Sequence, residues 1–235
     1  MCLYQFQNST IYKKDKVTIT LHKDKNFHKA AGISFLPGLS KYGGTCADDV
    51  PCINQCDAIY QMERYKGRRK AWKNNTEVLY TDMPKLFEII DIFLGKCVDV
   101  KITHFQIHHA GDFINQIEIN NWLSLSKQHK DIHFMAFTKR FEFSYTITDN
   151  FKVIYSVWPG RKMPPLNGIP LAFLDIDDTN RHPSNYDTFL CPISQGNTEE
   201  CKKCFDIGSY KAVILQYFDK DHSRWNKAER DCLLY

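Results

Sequence analysis

The chain has 235 residues, of which 43% are hydrophobic and 14% aromatic, so it can bury the core of one sizeable α/β domain. Its longest apolar stretches, around residues 86–94 and 170–174, are too short to cross a bilayer, and its first residues lack a secretory-signal pattern. We therefore predict a cytoplasmic protein with no membrane partner. The net charge of +4 is compatible with a phosphate-bearing partner, and one basic concentration lies at residues 66–73 (KGRRKAWK).

Strands and helices are predicted to alternate along the chain. The first elements are a strand at 17–22, an extended segment at 30–40, a cysteine-bearing loop at 41–56, and helices over 57–73 and 84–96. A strand at 100–108, a helix over 114–129, and strands at 132–138, 151–157, 169–174 and 211–217 follow. This alternation predicts βαβ units and a parallel sheet. Because the later strands have less helix between them, we predict a partial (β/α) barrel.

We predict a single α/β domain over residues 1–235, with cysteine-rich loops near the carboxyl ends of the strands. Residues 1–45 are expected to form an N-terminal extended layer, and residues 46–180 the cysteine loop and the βα core. Residues 181–235 are expected to form a C-terminal segment that contains further cysteines.

Nine cysteines are many for a chain without an export signal, because a reducing compartment disfavours disulfides. Six of them stand in polar loops, in two groups: Cys46, Cys52 and Cys56, then Cys191, Cys201 and Cys204. Clustered thiols in such loops predict metal binding. The alternative is that they are buried thiols without a ligand, packed as small hydrophobic side chains.

The first group has the spacing Cys46-x5-Cys52-x3-Cys56, which favours an iron–sulfur cluster of the 4Fe-4S type, because three close thiolates hold three corners of a cubane. Zinc is the alternative, although it usually takes paired ligands at closer spacing. The second group joins Cys191 to the pair Cys201-x2-Cys204. Either the two groups converge on one site or each holds its own metal, with a fourth ligand from Cys97, Cys232 or a histidine, so one or two clusters are expected.

A second candidate region is the segment 105–113 (FQIHHAGDF), which ends a predicted strand with polar residues. Ligands of parallel sheets bind at the carboxyl ends of strands. Asp112 is a candidate catalytic base, or else a cap of the next helix. His108 and His109 are candidate catalytic groups that strand alternation sends to opposite faces, or else histidines satisfied in the core.

Two further residues are candidates for cofactor binding. Gly111 would permit a cofactor to approach the backbone closely. Lys139 follows the strand at 132–138, and its cationic side chain would stand at an equivalent strand end. Each of them alone is more typical of a turn or a surface position.

These segments together resemble the "gene product 88" family of bacteriophage proteins. The resemblance is carried by the Cys46/Cys52/Cys56 loop, FQIHHAGDF, FMAFTKR, VIYSVWPG, and Cys191 with Cys201-x2-Cys204, over about residues 40–205. The chain departs from the family pattern at Cys56-Asp57-Ala58, where Cys-Tyr-Ala is expected. The resemblance implies a phage protein, hence one in the host cytoplasm, and implies little about chemistry.

The chain is also distantly similar to radical S-adenosylmethionine enzymes. Those enzymes carry a cysteine loop after the first strand and a Gly-Gly-Glu-like end to the second, where Ala110-Gly111-Asp112 stands here. Their loop is C-x3-C-x2-C, whereas this one is C-x5-C-x3-C. The similarity makes S-adenosylmethionine a candidate ligand near Asp112, by fold-level analogy.

Three functions compete at this point. The first is a cluster-dependent enzyme, whose open iron would face a small-molecule substrate near Asp112. The second is a nucleic-acid-binding or processing protein, stapled by an iron–sulfur or zinc site, that uses the basic helix at residues 66–73. The third is a zinc-stabilised interaction module without chemistry.

Overall fold

The computed structural model describes residues 9–22, 30–96, 102–158, 162–175, 185–190 and 204–216. The elements are β1 (Ser9–Lys14), β2 (Val17–His22), β3 (Ala30–Gly32), α1 (Asp57–Arg64), α2 (Lys66–Thr81), α3 (Met83–Lys96) and β4 (His104–Ile107). They continue with α4 (Gln116–Gln128), β5 (His133–Thr138), β6 (Phe151–Val157), β7 (Leu171–Asp175), β8 (Asp187–Leu190) and β9 (Lys211–Gln216). Two short 3₁₀ helices, Ser40–Tyr42 and Pro51–Gln55, lie between β3 and α1.

The strands form one sheet in the order β1-β2-β3-β4-β5-β6-β7-β9-β8. β1, β2 and β3 pair antiparallel, and the pairings from β3 to β8 are parallel. The predicted α/β class with parallel strands is confirmed. Within the ranges described, the sheet has β1 and β8 as its two edges, so it is open and does not close into a barrel. A partial barrel stays a prediction about its curvature.

One face of the sheet packs on α3 and α4 through an aromatic core. Phe105 of β4 and Phe134 of β5 are neighbours in register, and the Trp122 ring of α4 lies 5.7 Å from that of Phe105. Phe87 of α3 meets Trp122 edge-on at 4.9 Å. Burial of these large rings contributes much of the stability of this layer. It fixes α4 against β4 and β5, whose carboxyl ends carry the candidate site.

The opposite face of the sheet carries a smaller apolar cluster. Met135, Ile154, Ala172 and Val213 lie there, one from each of β5, β6, β7 and β9, and residues 204–207 pack over them through Cys204 and Ile207. Strand alternation separates the two faces, because Met135 directly follows the core residue Phe134. Both faces of the central strands are therefore covered, as parallel sheets require.

A single buried amide attaches α2 to the N-terminal strands. Asn75 accepts a hydrogen bond from the Thr18 N–H (2.7 Å) and donates to the carbonyls of Thr18 and Ser34 (both 2.9 Å). On the next residue, the Thr76 hydroxyl accepts from the Leu36 N–H (2.7 Å). These bonds satisfy backbone groups that sheet pairing leaves free. They fix the start of the chain segment that leads from β3 to the first cysteine.

The predicted helix over 57–73 is wrong in one respect, because two helices cover this stretch. α1 ends at Arg64, Tyr65 is extended (φ −123°, ψ 92°), and α2 begins at Lys66. α1 buries Ala58, Ile59 and Met62, while α2 buries Trp72, Asn75, Thr76 and Leu79. The break lets each helix turn its own buried face inward. No glycine or proline marks it at Tyr65.

Most predicted strands are confirmed with small shifts at their ends, namely those at 17–22, 132–138, 151–157 and 169–174. The strands predicted at 100–108 and 211–217 are confirmed as β4 and β9, while residues 100, 101 and 217 lie outside the described residues. β1 and β8 were not predicted, because STIYKK and DTFL lack a clear apolar alternation. No helix in the described part of the chain is long and apolar enough to span a membrane.

Candidate metal centre

Cys46 lies in a loop that closes tightly on itself. Its N–H donates to the Gly38 carbonyl (3.0 Å), and the Ser40 N–H donates to the Cys46 carbonyl (3.0 Å). Gly44 packs so closely on Gly38 that a Cβ at Gly44 would overlap the Gly38 carbonyl oxygen. Only glycine fits such a backbone contact. The two glycines therefore fix the path of the chain into Cys46.

Cys52 and Cys56 follow on the segment that leads into the first helix. Cys52 lies in the 3₁₀ helix Pro51–Gln55, and Cys56 is the residue directly before α1. Cys56 packs against a buried cluster that includes Met62 and Ala110. Because Ala110 belongs to the turn after β4, this contact brings Cys56 toward the carboxyl end of that strand.

The three thiols interact with one another. Burial and the neighbouring Cys52 raise the pKa of Cys56 to about 11, although the Ile59 N–H opposes the shift. Burial, Cys56 and Asp112 raise the pKa of Cys46 well above its ordinary value, and Cys52 adds to this effect. Two independent parts of the chain, the loop and the start of α1, thus place their thiols within electrostatic reach of each other.

The thiols do not stand in a finished coordination sphere. Within the described ranges, no three His, Cys, Asp or Glu side chains are arranged as ligands of one metal ion. The thiols can influence each other's pKa without standing at ligand distance, because charges interact over distances longer than the ~2.3 Å of a metal–sulfur bond. The raised pKa values of Cys46 and Cys56 keep these two thiols protonated at neutral pH, and a metal would displace their protons.

Asp112 lies near Cys46, and three hydrogen bonds hold its carboxylate. Oδ1 accepts from the Phe113 N–H (2.8 Å) and the Thr138 hydroxyl (2.6 Å), and Oδ2 accepts from the Lys139 N–H (2.7 Å). Both carboxylate oxygens are thus engaged, and the side chain is buried. Asp112 therefore ties the turn after β4 to the end of β5, and a role as catalytic base stays a prediction.

The cysteine loop packs directly on the turn that carries Asp112. The Asp112 N–H donates to the Thr45 hydroxyl oxygen (3.0 Å), and that hydroxyl donates to the Leu36 carbonyl (3.2 Å). Gly111 has a φ of +86°, and a Cβ there would overlap the Thr45 hydroxyl oxygen. Glycine is needed at this position for its backbone conformation and for the close approach. Cys46 follows Thr45, so this contact sets its place beside Asp112.

Lys139 supplies positive charge to the thiols. Burial acts to lower its pKa, but Cys52, Asp112, Cys46 and Cys56 in their ionised forms outweigh burial and raise it. Its ammonium group lies 5.8 Å from the centre of the Trp158 ring, over the ring face. A cation in this position would compensate the negative charge that the thiols acquire as thiolates.

The two predicted histidines have different surroundings. His108 is buried with a φ of +50°, and its Nε2 lies 2.6 Å from Glu118 Oε1. The same carboxylate accepts from the Trp122 indole N–H (3.2 Å) and the Ile114 N–H (2.9 Å). His109 faces the α1–α2 side of the turn, where burial and then Arg68 lower its pKa to about 4. A catalytic role for either stays a prediction.

A cleft of about 700 Å³ opens beside the cysteine loop, with Lys41, Tyr80 and Arg140 among its lining residues. The Tyr80 hydroxyl donates to the Gly44 carbonyl (2.8 Å), and Arg140 Nη2 donates to the Thr45 carbonyl (3.3 Å). The cleft has the size of a small-molecule site. None of the three thiols is among its lining residues, so a molecule bound there would contact the outside of the loop.

A comparison with protein families gives one result. The family model described as Gene product 88 matches residues 6–204. The chain belongs to the Gene product 88 family. This confirms the resemblance expected from the sequence, and the matched range contains all six cysteines predicted as ligands. No curated protein and no solved structure matches the chain, so the similarity to radical S-adenosylmethionine enzymes receives no support from these comparisons.

In this member of the Gene product 88 family, some predicted site residues come together and others do not. The residues brought together are Cys46, Cys52, Cys56, Asp112 and Lys139, with Gly111 under the loop. Cys204 is buried in the apolar cluster on the sheet face opposite α3 and α4, a cluster that Trp158 borders. Cys191 and Cys201 lie outside the described residues. Ligand roles for the second cysteine group therefore stay predictions.

Three residues that hold the candidate centre were not predicted from the sequence. They are Thr45, Thr138 and Glu118. Thr45 precedes a predicted ligand and Thr138 ends a predicted strand, but a threonine at either position does not predict the hydrogen bonds that it makes. Glu118 follows Asn115 by three residues, and Asn115 Oδ1 accepts from the Glu118 N–H (2.9 Å). That capping spacing predicts a helix start, and it does not predict the burial of Glu118.

We expect His109 to make the family member sensitive to mild acid. Its pKa falls from 6.5 to about 4 on folding, so the stability that it contributes is present above pH 6.5 and is lost as pH falls through 4. Because part of the ring stays accessible, we expect a loss of about 2 kcal/mol rather than the full effect. Urea unfolding of the wild type and of His109→Gln, measured between pH 7 and 4, checks this.

The control for this measurement is His129→Gln, which removes a histidine that pairs with Asp91 near the surface. The wild type should lose more stability than His109→Gln across the pH window, and His129→Gln should follow the wild type. Equal pH slopes for the wild type and His109→Gln would show that His109 titrates alike in the folded and unfolded chain.

Proposed function

We propose that this protein binds an iron–sulfur cluster of the 4Fe-4S type, with the thiolates of Cys46, Cys52 and Cys56 as ligands. The observation that carries the proposal is the mutual interaction of these three partly buried thiols within eleven residues, next to the partly buried cation of Lys139. Unliganded thiols pack well among apolar side chains, but this group faces the carboxylate of Asp112 and the ammonium of Lys139, which are polar surroundings.

The chemistry of the donors supports a soft metal centre. Metal ligation requires thiolates, and the raised pKa of Cys56 means that metal binding would release protons from the folded chain. Lys139 would offset the negative charge so created. When bound, a cluster held by three thiolates supplies an electron-transfer centre and one iron that is open to a further ligand.

Iron is favoured over zinc by the number and spacing of the neighbouring thiols. Structural zinc sites take four protein ligands, usually in two close pairs, and the described residues supply three thiols here. Asp112 does not complete such a set, because both of its oxygens already accept hydrogen bonds from Phe113, Thr138 and Lys139. A fourth ligand from outside the protein suits a cubane better than a closed zinc site.

The cleft beside the loop supports a role for a small molecule in the same protein, and we propose it as the substrate or effector site. Lys41 and Arg140 give it cationic groups, and Asp48 and Asp82 give it carboxylates. Because the thiols do not line the cleft, the proposed cluster would not contact a molecule bound there. It would influence that molecule only through the cysteine loop, which separates the cluster from the cleft.

The test is metal analysis of the full chain purified without oxygen. We expect iron and acid-labile sulfide in equal amounts, with an absorption band near ~400 nm from thiolate-ligated iron. Replacement of Cys46, Cys52 and Cys56 together by Ser should remove both iron and absorption. The matched control replaces Cys2, Cys97 and Cys232, which lie outside both cysteine groups, and should keep the iron and the absorption.

Two results would overturn the proposal. One is a folded wild-type protein that holds neither iron nor sulfide after anaerobic reconstitution. The other is equal iron content in the wild type and the Cys46/Cys52/Cys56 variant, which would assign the cluster to other residues. Zinc at one equivalent without sulfide would favour the zinc-stapled alternative. Circular dichroism on each variant separates loss of metal from loss of fold.

A further inference from the structure

The junction of α1 and α2 carries an exposed cluster of positive charge. Five of the seven residues from 64 to 70 are cationic, and all five are exposed: Arg64, Lys66, Arg68, Arg69 and Lys70. We call these five residues the basic corner. None of them forms an ion pair with an acidic side chain in the part of the chain that the structure describes. Their charge is therefore available to a partner.

Aromatic rings hold part of the basic corner in place. The Arg68 guanidinium lies 4.7 Å from the centre of the exposed Tyr65 ring, and that of Arg64 lies 5.8 Å from it. Arg64 also donates a hydrogen bond to the hydroxyl of Tyr60 (3.0 Å), and Arg68 donates one to Gln61. Tyr60, like Tyr65, is exposed. Stacking of this kind orders long side chains before any ligand arrives.

Helix stability does not explain the basic corner. α2 has no acidic residue in its first turn, and Tyr65, which precedes it, makes no side-chain capping bond. Cations at the N-terminus of a helix are disfavoured by the helix dipole, and like charges four residues apart, such as Lys66 and Lys70, repel each other. The inward side of this turn is well packed, because Trp72 is buried against Met62 and Ala110. The exposed cations thus destabilise the start of α2, and the packing of Trp72 on the buried side offsets this effect.

We propose that the basic corner, with Tyr65 and Tyr60, binds single-stranded nucleic acid. The phosphate backbone of nucleic acid is a polyanion, and five cations without an acidic partner attract it strongly. Exposed tyrosine and arginine planes add faces on which unpaired bases stack, which a duplex does not offer. The described residues of α1 and α2 include no exposed leucine, isoleucine or phenylalanine side chain, by which an interfacial helix enters a lipid bilayer.

The basic corner adjoins the candidate metal centre without being part of it. Arg68 is close enough to His109 to act on its charge, and His109 precedes Ala110, against which α1 and α2 pack. A strand bound at the corner would pass beside the turn that carries Asp112. This binding surface does not require a cluster, so it goes beyond the function proposed above, and the two proposals succeed or fail separately.

The test measures the anisotropy of a fluorescein-labelled 20-nucleotide single strand of mixed sequence, over a salt series, with the full chain prepared anaerobically. We expect tighter binding of the single strand than of its duplex. Replacement of Arg68, Arg69 and Lys70 together by Glu should weaken binding at least about tenfold, and should lower the slope of log affinity against log salt by about 2. The matched control replaces the exposed Lys96, Lys127 and Lys130 by Glu, with the same change in net charge.

The aromatic part is tested at one position. Tyr65→Ala should weaken single-strand binding about tenfold with an unchanged salt slope, whereas Tyr65→Phe keeps the ring and should bind like the wild type. The proposal is overturned by a wild type that does not bind the strand, by equal losses in the two triple variants, or by binding only to vesicles that contain phosphatidylserine. Iron content measured on each variant keeps this result separate from the cluster proposal.

Discussion

Gly111→Ala is expected to cost about 2 to 5 kcal/mol of unfolding free energy and to displace the cysteine loop. The φ of +86° at this residue is strained for alanine, which accounts for roughly 1–2 kcal/mol. The new Cβ would also overlap the Thr45 hydroxyl oxygen and lie 3.3 Å from Phe35 Cβ, and forced repacking adds roughly 1–3 kcal/mol. Since the Thr45 hydroxyl binds both Leu36 and Asp112, it cannot move without a further loss. Urea unfolding measures the effect.

Gly43→Ala is the matched control for this prediction. Gly43 has nearly the same φ, +84°, but a Cβ there would meet no atom within 4 Å, so only the backbone strain of roughly 1–2 kcal/mol is expected. The difference between the two variants isolates the close approach of the loop. Adding Thr45→Ala to Gly111→Ala should cost less than the sum of the two single changes. If Gly111→Ala lost no more unfolding free energy than Gly43→Ala, the close contact between the cysteine loop and the turn at Gly111 would be refuted.

Glu118→Leu is expected to cost about 3 to 5 kcal/mol, because it removes one carboxylate from two buried donors and one partly buried donor. His108 Nε2, the Trp122 indole N–H and the Ile114 N–H all bond to Glu118, whose side chain is fully buried. Their desolvation would then be uncompensated. His108, held at a φ of +50°, would also lose the bond that maintains its conformation. We expect the turn at Gly111 to loosen, with faster hydrogen exchange there.

The exposed pair Lys16–Glu77 provides the comparison for Glu118. Its atoms are also 2.6 Å apart, but both side chains are about half exposed, so Glu77→Leu should cost less than about 1 kcal/mol. Equal losses for Glu77→Leu and Glu118→Leu would mean that burial of the Glu118 network contributes nothing. Glu118→Gln should fall between the two, because its amide can accept hydrogen bonds only through its single oxygen.

The fold was predictable wherever apolar residues alternate along a strand. The runs that became β4, β5, β6 and β7 are largely apolar, because both faces of those strands are covered. The helix α4 between β4 and β5 makes their parallel pairing predictable, whereas the described residues hold no helix between β5 and β6 or between β6 and β7. β1 and β8 were missed because edge strands bury little. The order of strands at the far edge, β7-β9-β8, depends on contacts distant in sequence, so no local pattern predicts it.

The candidate site was predictable in its residue types and only partly in its arrangement. The cysteine spacing and the polar strand end both pointed to residues that the structure brings together, such as Cys46 and Asp112. The role of the Asp112 carboxylate was not predictable, because its partners Thr138 and Lys139 come from another strand. The burial of His108 against Glu118 depends likewise on how α4 packs on the sheet, and this packing cannot be predicted from individual residues.

The place of the thiols in the chain has a consequence for the timing of synthesis. Cys46, Cys52 and Cys56 lie in the crossover between β3 and β4, whereas Lys139 emerges from the ribosome about eighty residues after Cys56. At 5–20 residues per second, this delay lasts roughly 4 to 17 seconds. In the first part of that interval β3 has no parallel neighbour, because β4 has not yet been synthesised, and the thiols acquire the carboxylate of Asp112 before the ammonium of Lys139. The nascent chain therefore exposes its cysteines to oxidants before its fold can shelter them, and any cofactor enters a pocket that the fifth strand completes.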